Sequence, residues 1–306
     1  MPGFRAKPMA EVSAVVVTYN SARWLERSLE SLRGTGAEVI VVDHGSTDGT
    51  VELVRDRFPE ARLIEQENRG FGAGNNTGMR AGSGRYFLLL NADAWLTGDA
   101  LERLVEFADE HPEAAVVGPR LLNPDGTLQP SVRGYPTPWR IATEYFFLRK
   151  LAPGSRLLNA FFGAGFDHRS VREAEFLGGA CLLVRREAVD SIGGFDEDFF
   201  LMSEEVDWCY RFRQAGWKVL FYPRAEVVHV LSASADPAHF QRLVQGHLRF
   251  LRKHRGNRVA ERGRRVMLWG LRLRGLLFHG ERGRAYREAA RWLGSGRSAT
   301  LLESRE

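Results

Sequence analysis

Cysteine is nearly absent from this chain: Cys181 and Cys209 are the only two in 306 residues. Two thiols make no disulfide framework and offer no metal-ligand spacing, which excludes a secreted cysteine scaffold and a zinc module. Each sits in an apolar setting, GGACLLV and DWCYRF, and reads as a buried free thiol in a reducing compartment. Long hydrophobic runs are missing too. No stretch approaches the roughly eighteen uncharged apolar residues of a membrane span. The N-terminal MPGFRAKPMAEVSAVVV lacks the apolar core of a signal peptide, because its apolar run soon meets Thr18-Tyr19-Asn20. A cytoplasmic protein is expected, one able to touch the inner face of a membrane as a peripheral partner.

What is present suffices for a large α/β core with an appendage, since 44% of residues are hydrophobic and 26% charged. The charge is divided unevenly. Residues 241–306 hold 17 Lys and Arg against 5 Asp and Glu, and residues 1–240 hold 26 against 33. An acidic body thus carries a basic tail, and such a tail suits an anionic membrane surface or nucleic acid. No nucleic-acid recognition motif accompanies the charge, so nucleic acid is set aside.

Hydrophobic patterning predicts strands over 12–18, 37–42, 62–64 and 85–90, with helices over 21–32, 50–58 and 73–81 between them. The first helix places Trp24, Leu25, Ser28, Leu29 and Leu32 on one face and starts at Asn20 or Ser21 as cap. Alternation of this kind implies a mostly parallel sheet flanked by helices. A helix over 101–111 and a short strand over 115–117 follow, then a turn at Asn123-Pro124-Asp125-Gly126. Residues 134–170 show no clean period and read as a functional insertion. Order returns over 175–184, in a helix over 205–215 and in a strand over 218–222; the tail, 237–293, is helical by pattern. The expected division is 11–235, with a nucleotide-binding half (11–120) and an acceptor and catalytic half (121–235), and a basic helical extension over 236–306.

The stretch FLLLNADAWL gives the pattern a chemical edge. An apolar strand ends in Asn91-Ala92-Asp93, and a carboxylate at a core strand's tip is costly unless paired or bound to a metal. Asn and Asp also favour turns, so one tip alone decides little. Three tips do: Thr18-Tyr19-Asn20, Asp43 and Asn91-Ala92-Asp93 all fall at carboxyl ends of strands, where open sheets bind ligands. Asn68-Arg69-Gly70-Phe71-Gly72-Ala73-Gly74-Asn75 opens a helix but is not the GxGxxG fingerprint, so a dinucleotide oxidoreductase is unlikely.

The strings VVVTYN, VVDHGSTDGT, NRGFGAGNNTG, LLLNADAWL and GGFDEDFFLMSEEVDWCYRFRQAGW, in this order, resemble the inverting nucleotide-sugar glycosyltransferases of family 2, with the GT-A fold, and within them the rhamnosyltransferase-like branch. The resemblance covers roughly 11–230. It implies that Asp43 contacts the base or ribose of a dTDP- or UDP-sugar, with Thr18, Tyr19, Asn20, Ser46, Asn68, Gly70, Gly72, Asn75, Asn91 and Ala92 around the donor. Asp48 is assigned there too, although its spacing equally suits a helix cap. It implies a Mg²⁺ or Mn²⁺ ion on Asp93, where Asn91 replaces the first acid of the usual pair, with His229 completing the site. It implies that Glu205, where many members carry Asp, is the base for the acceptor hydroxyl, with Glu204 as the alternate. Gly179 and Asp196 would line the sugar pocket, Asp196 equally reading as a turn residue. Trp208, Phe212 and Trp217 read as core.

The expected activity is transfer of a sugar, with L-rhamnose from dTDP-rhamnose as candidate, to a glycan or lipid-linked acceptor in cell-envelope polysaccharide synthesis. Two competitors remain: a sugar nucleotidyltransferase and a non-catalytic scaffold of a polysaccharide assembly complex. The segment VMLWGLRLRGLLF in the tail suits an anionic membrane interface, with a packed helix bearing solvated arginines, or a homodimer contact, as its alternatives.

Overall fold

A computed structural model describes residues 11–163, 165–230 and 237–295. The extreme N-terminal stretch and the boundary expected at 235/236 lie outside them. Seven fully buried residues, Val12–Thr18, form strand β1. A β-branched run covered on both faces belongs in the middle of a sheet, and β1 lies there. The chain then alternates through α1 (Ala22–Glu30), β2 (Glu38–Asp43), α2 (Thr50–Arg57), β3 (Arg62–Glu65), α3 (Phe71–Ala81) and β4 (Tyr86–Asn91). β3, β2, β1 and β4 are neighbours in that order and all parallel.

Pairing turns mixed beyond β4. After β5 (Ala94–Leu96), α4 (Ala100–Glu110) and β6 (Ala114–Leu122) come β7 (Leu128–Gln129), β8 (Val132–Arg133), α5 (Pro138–Tyr145), β9 (Arg172–Glu173), β10 (Phe176–Leu177) and β11 (Cys181–Arg185). Then follow α6 (Arg186–Ile192), α7 (Glu204–Gln214) and β12 (Lys218–His229). β11 inserts antiparallel between β4 and β6, and β12 pairs parallel with β6 and antiparallel with β5. The expected mostly parallel sheet is thus uninterrupted from β3 to β4, and beyond it antiparallel pairs flank the parallel β6–β12 pair. A β12 of twelve residues is far longer than the strand expected over 218–222. Its register breaks between Tyr222 and Glu226, across Pro223, which cannot donate to a ladder, and pairing then resumes to His229.

Two expectations are corrected here. The segment 134–170 is not without helix: Thr137 caps α5 by accepting from the Arg140 amide, and Pro138 opens it. Tyr145 and Ile141 of α5 are buried. Nor is α1 capped by the side chain of Asn20 or Ser21. Asp48 reaches across instead, its Oδ2 accepting from the Ala22 amide at 3.0 Å.

The basic tail forms α8 (Pro237–Arg255), α9 (Asn257–Leu277) and α10 (Gly280–Gly294). These helices share an apolar cluster with α5, in which Ile141 and Tyr145 meet Val244, Leu251, Met267, Leu271 and Tyr286. Phe250 of α8 joins the sheet-side core instead, so the tail packs on the body.

Candidate active site

Strand register aligns the polar tips. Thr18 pairs level with Asp43, and Val17 with Asn91, so the carboxyl ends of β1, β2 and β4 form one row. Asp43 is buried, and its carboxylate accepts from the Gly45 and Ser46 amides, each at 2.9 Å, and from the Ser46 hydroxyl. Asn20, at φ +50°, links the tips: its amide donates to Ser46 Oγ at 2.8 Å and its Oδ1 accepts from the Thr47 amide at 2.8 Å. Tyr19 stands exposed beside them, and the Thr18 hydroxyl is buried without a partner among the described residues. Asp48 is a structural cap. Besides Ala22 it accepts from the Thr50 amide and hydroxyl, and these bonds outweigh burial and hold its carboxyl below the ordinary value.

The glycine-rich loop packs differently from expectation. A Cβ on Gly70, at φ +102°, would lie 2.4 Å from the Phe200 carbonyl oxygen, and the Phe71 amide donates to that oxygen at 2.9 Å. Gly72 abuts Phe195, Asn68 accepts from the Gly70 amide, and Asn75 donates to the Phe71 carbonyl within α3. The loop thus seats the segment 195–200. Asn76 fastens it from the other side, exchanging both hydrogen bonds with the Phe195 backbone at 2.8 and 2.9 Å. Sequence reasoning missed Asn76. Asp196 leaves the pocket altogether, its carboxylate meeting Lys253 at 2.6 Å and the Asp198 amide at 3.0 Å.

Asp93 lies in the turn between β4 and β5, and the pairing of His229 with Ala94 brings the histidine to it. His229 Nε2 is 3.4 Å from Asp93 Oδ1 and 3.4 Å from Asn91 Nδ2. Gln129 fixes the ring. Its amide nitrogen donates to Asn123 Oδ1 and the His229 carbonyl, so its Oε1 accepts from His229 Nδ1–H at 2.7 Å. That leaves Nε2 as an acceptor, with the Asn91 Nδ2 donor and the Asp93 carboxylate both at 3.4 Å. Asn91 Oδ1 is buried with no partner among the described residues. Among the described residues no three His, Cys, Asp or Glu gather as a metal cluster. The Asp93 carboxylate, the His229 lone pair and the orphaned Asn91 oxygen fit a divalent ion that takes its other ligands from a diphosphate and water.

A cavity of about 430 Å³ is lined by Asn91, His229, Gly179, Glu204 and Glu205, and by Arg133 and His247 as well. The two glutamates open α7 after a strained turn, in which Met202 and Ser203 both adopt φ +75°. Helix α8 supports that turn at Gly246, where a Cβ would lie 2.3 Å from the Met202 carbonyl oxygen. Burial raises both carboxyls above the ordinary value of 4.5. Glu204 rises further because the charge of Glu205 adds to burial, and its Oε2 has no partner. Backbone hydrogen bonds and Arg133 oppose the rise at Glu205. Burial and its neighbour thus hold Glu204 toward its protonated form, and Glu205 is the member whose charged form Arg133 favours. Asp207 faces away, fully buried, and binds Arg211, Lys253 and His254 at 2.7 to 2.8 Å.

A mixed sheet with polar strand tips along one edge, a carboxylate and histidine beside them and a buried acid pair opening the next helix defines a GT-A nucleotide-sugar transferase. Its fold is similar to that of the mannosyltransferase PcManGT from Pyrobaculum calidifontis in complex with GDP-Man and Mn²⁺, with a TM-score of 0.55 at 19% identity over 97% of this chain and 79% of that one. GalNAc-T7 with UDP, GalNAc and Mn²⁺ gives a TM-score of 0.58 at 16% identity, over 79% of this chain and 48% of that one.

The model of "Glycosyl transferase family 2" matches residues 13–193, and the chain belongs to that family. It is a glycosyltransferase. It is 34% identical over 248 residues to N-acetylglucosaminyl-diphospho-decaprenol L-rhamnosyltransferase of Mycobacterium tuberculosis, covering 75% of this chain and 80% of the relative. The low-salt glycan biosynthesis hexosyltransferase Agl10 of Haloferax volcanii is 24% identical over 245 residues, covering 78% of this chain and 73% of the relative.

Proposed function

We propose that this chain transfers L-rhamnose, from a dTDP-linked donor and with inversion, to a lipid-linked sugar at an anionic membrane surface. The observation that carries the catalytic part is geometric: Glu205, beside Gly179, lines the same cavity as Asn91 and His229 and can act there as a base. The relative that acts as an L-rhamnosyltransferase supports the choice of sugar. Asp43 and the crevice beside Tyr19 take the nucleoside. Glu205 accepts the proton of the acceptor hydroxyl while its oxygen attacks the anomeric carbon, and the nucleoside diphosphate departs toward Asp93 and His229. A divalent ion held there supplies charge neutralisation for that diphosphate.

Calorimetric titration of dTDP-, UDP- and GDP-sugars, with Mg²⁺, with Mn²⁺ and with EDTA, tests the donor side. Binding of dTDP-rhamnose that needs the cation is expected. Asp93→Ala should remove the cation dependence, and Gln129→Leu should weaken cation affinity about 10- to 100-fold by freeing the His229 ring. Donor affinity indifferent to EDTA in the unaltered protein would count against the metal assignment.

The membrane part rests on α9. Among the described residues no helix is long and apolar enough to cross a membrane. Arg274 is buried, against the expectation of solvated arginines: it donates to the Tyr145 and Glu144 carbonyls and to the Glu144 carboxylate. The outward face is another matter. Arg258, Arg262, Arg265, Trp269, Arg272 and Leu276 recur at spacings of three and four and are all exposed, Trp269 by 60% and Leu276 by 77%. Arginines around an exposed Trp and Leu suit the interface of an anionic bilayer, each near-surface Arg adding roughly 1 kcal/mol. Sedimentation with vesicles containing phosphatidylglycerol should carry the protein down, and Trp269→Glu should release it. Equal recovery with neutral vesicles, or a stable dimer that loses its partner in the same variant, would assign the stripe to another use.

A further inference from the structure

The cavity that Asn91 and His229 line also holds a cation that the donor chemistry does not use. Two guanidinium groups line the cavity, Arg133 and Arg140. Arg140 is fully engaged in a bidentate pair with Glu175, at 2.6 and 2.7 Å, and with the Tyr135 carbonyl. Arg133 stacks on Phe162, 5.0 Å from the ring centroid, and donates to no acceptor among the described residues. A guanidinium has five N–H donors in a planar fork, and leaving them unmet in a recess is costly. Burial works against its charge, and the nearby Glu205 and Glu144 only partly compensate.

His247 of α8 lines the same cavity, 6% exposed, with Nδ1 buried and without a partner among the described residues. Burial first, and then the charge of Arg133, pushes this imidazole down to about 4, so it is neutral at physiological pH. A planar cationic fork beside a neutral imidazole, both unmet, suits a phosphate oxygen set. Around them the wall is apolar: Phe161, Phe162, Ile141, Tyr145 and Leu243. The groups that act on Arg133, namely Phe162, Glu144, Glu205, Arg149 and His247, belong to the segment after β8, to α7 and to α8; none is Asn91, Asp93 or His229.

We propose that Arg133 and His247 form an acceptor subsite that holds the phosphate joining the acceptor sugar to its apolar chain. This deepens, and rests on, the reading of Glu205 as the base for an acceptor hydroxyl. The phosphate anchors the acceptor on the Arg133 side, the apolar chain leaves along the aromatic wall, and the sugar is presented to Glu205. Acceptor choice is then decided by the anion as much as by the sugar.

The test uses the full-length protein, its donor and two soluble acceptors of equal alkyl length: one sugar as an alkyl diphosphate and the same sugar as a neutral alkyl glycoside. The unaltered protein is expected to favour the diphosphate acceptor in kcat/KM, and Arg133→Gln to reduce that preference about 10- to 100-fold, the range of a charge-assisted hydrogen bond. Arg133→Lys should restore part of it. His247→Asn, a milder change in case the arginine variants fold poorly, should reduce it about tenfold. Nucleoside diphosphate affinity without acceptor should stay within about twofold throughout. No preference in the unaltered protein would overturn the proposal. So would an equal loss on both acceptors with a shifted acid limb of kcat, which would make Arg133 a partner of Glu205 alone. Weakened nucleoside diphosphate binding in Arg133→Gln would assign the anion to the donor and overturn it as well. Failure of the underlying reading looks different: the unaltered protein would transfer to neither acceptor, or Glu205→Gln would turn over both as fast as the unaltered protein.

Discussion

Replacing Glu205 by Gln is expected to lower kcat by about 10²- to 10⁴-fold, the contribution of a positioned general base, while donor affinity stays close to that of the unaltered protein. The amide keeps the shape of the side chain beside Gly179 but cannot accept a proton. Glu204→Gln should lose less, because Glu204 already holds a proton and the amide resembles that state. The same partition fixes the pH dependence. Burial raises Glu205 above 4.5, so activity should fall on the acid side of that raised value and recover as pH rises through it. Steady-state kinetics across pH, with donor binding measured in parallel, checks both points. If Glu204→Gln were the silent variant and Glu205→Gln the active one, the roles would be exchanged.

Asp207→Ala is the change with the largest expected cost in stability, about 3–5 kcal/mol, because it removes the one carboxylate among the described residues that touches Arg211, Lys253 and His254 together. Its side chain is 0% exposed, so little solvent screening softens the loss. Burial opposes the charge of Asp207, but hydrogen bonds from His254, Lys253 and Arg211 outweigh it and hold the carboxyl at about 2, against an ordinary 3.8. A depressed carboxyl contributes stability that is complete above the ordinary value and disappears as pH falls through the folded one. Chemical denaturation of the unaltered protein should therefore weaken between about pH 4 and pH 2, and Asp207→Asn should flatten that part of the profile. A variant as stable as the parent at pH 7 would show that the three cations find other partners.

The first half was legible because its signals are local. A β-branched run such as VSAVVVT, followed by an amphipathic helix, makes a strand and a crossover wherever it occurs, and the three polar tips followed from strand ends alone. The row of Thr18, Asp43 and Asn91 is that reading realised in register. Asp48 was harder, since one carboxylate can cap its own helix or a neighbouring one, and only tertiary structure shows that it does both. The second half hid its logic in contacts between distant residues. Gln129 acquires meaning only when β12 runs past its break to bring His229 within 2.7 Å. Arg133 belongs to a two-residue strand that no periodicity can announce. Asp196 looked like a pocket residue because its glycine neighbours did, and the cation it meets lies on α8.

Helix α8 has a consequence for how such chains are counted. It touches the Met202–Ser203 turn through Gly246, grips Asp207 through Lys253 and His254, and ties Asp196 and Asp198 through Lys253 and Arg249. All the motifs that mark the family lie before it. A gene copy ending after β12 would keep every recognisable signature, yet the turn that aims Glu205 would have lost its backing. An inventory of motifs would score that copy as an enzyme, whereas physically its acid pair would stand on a strained turn with nothing packed behind it.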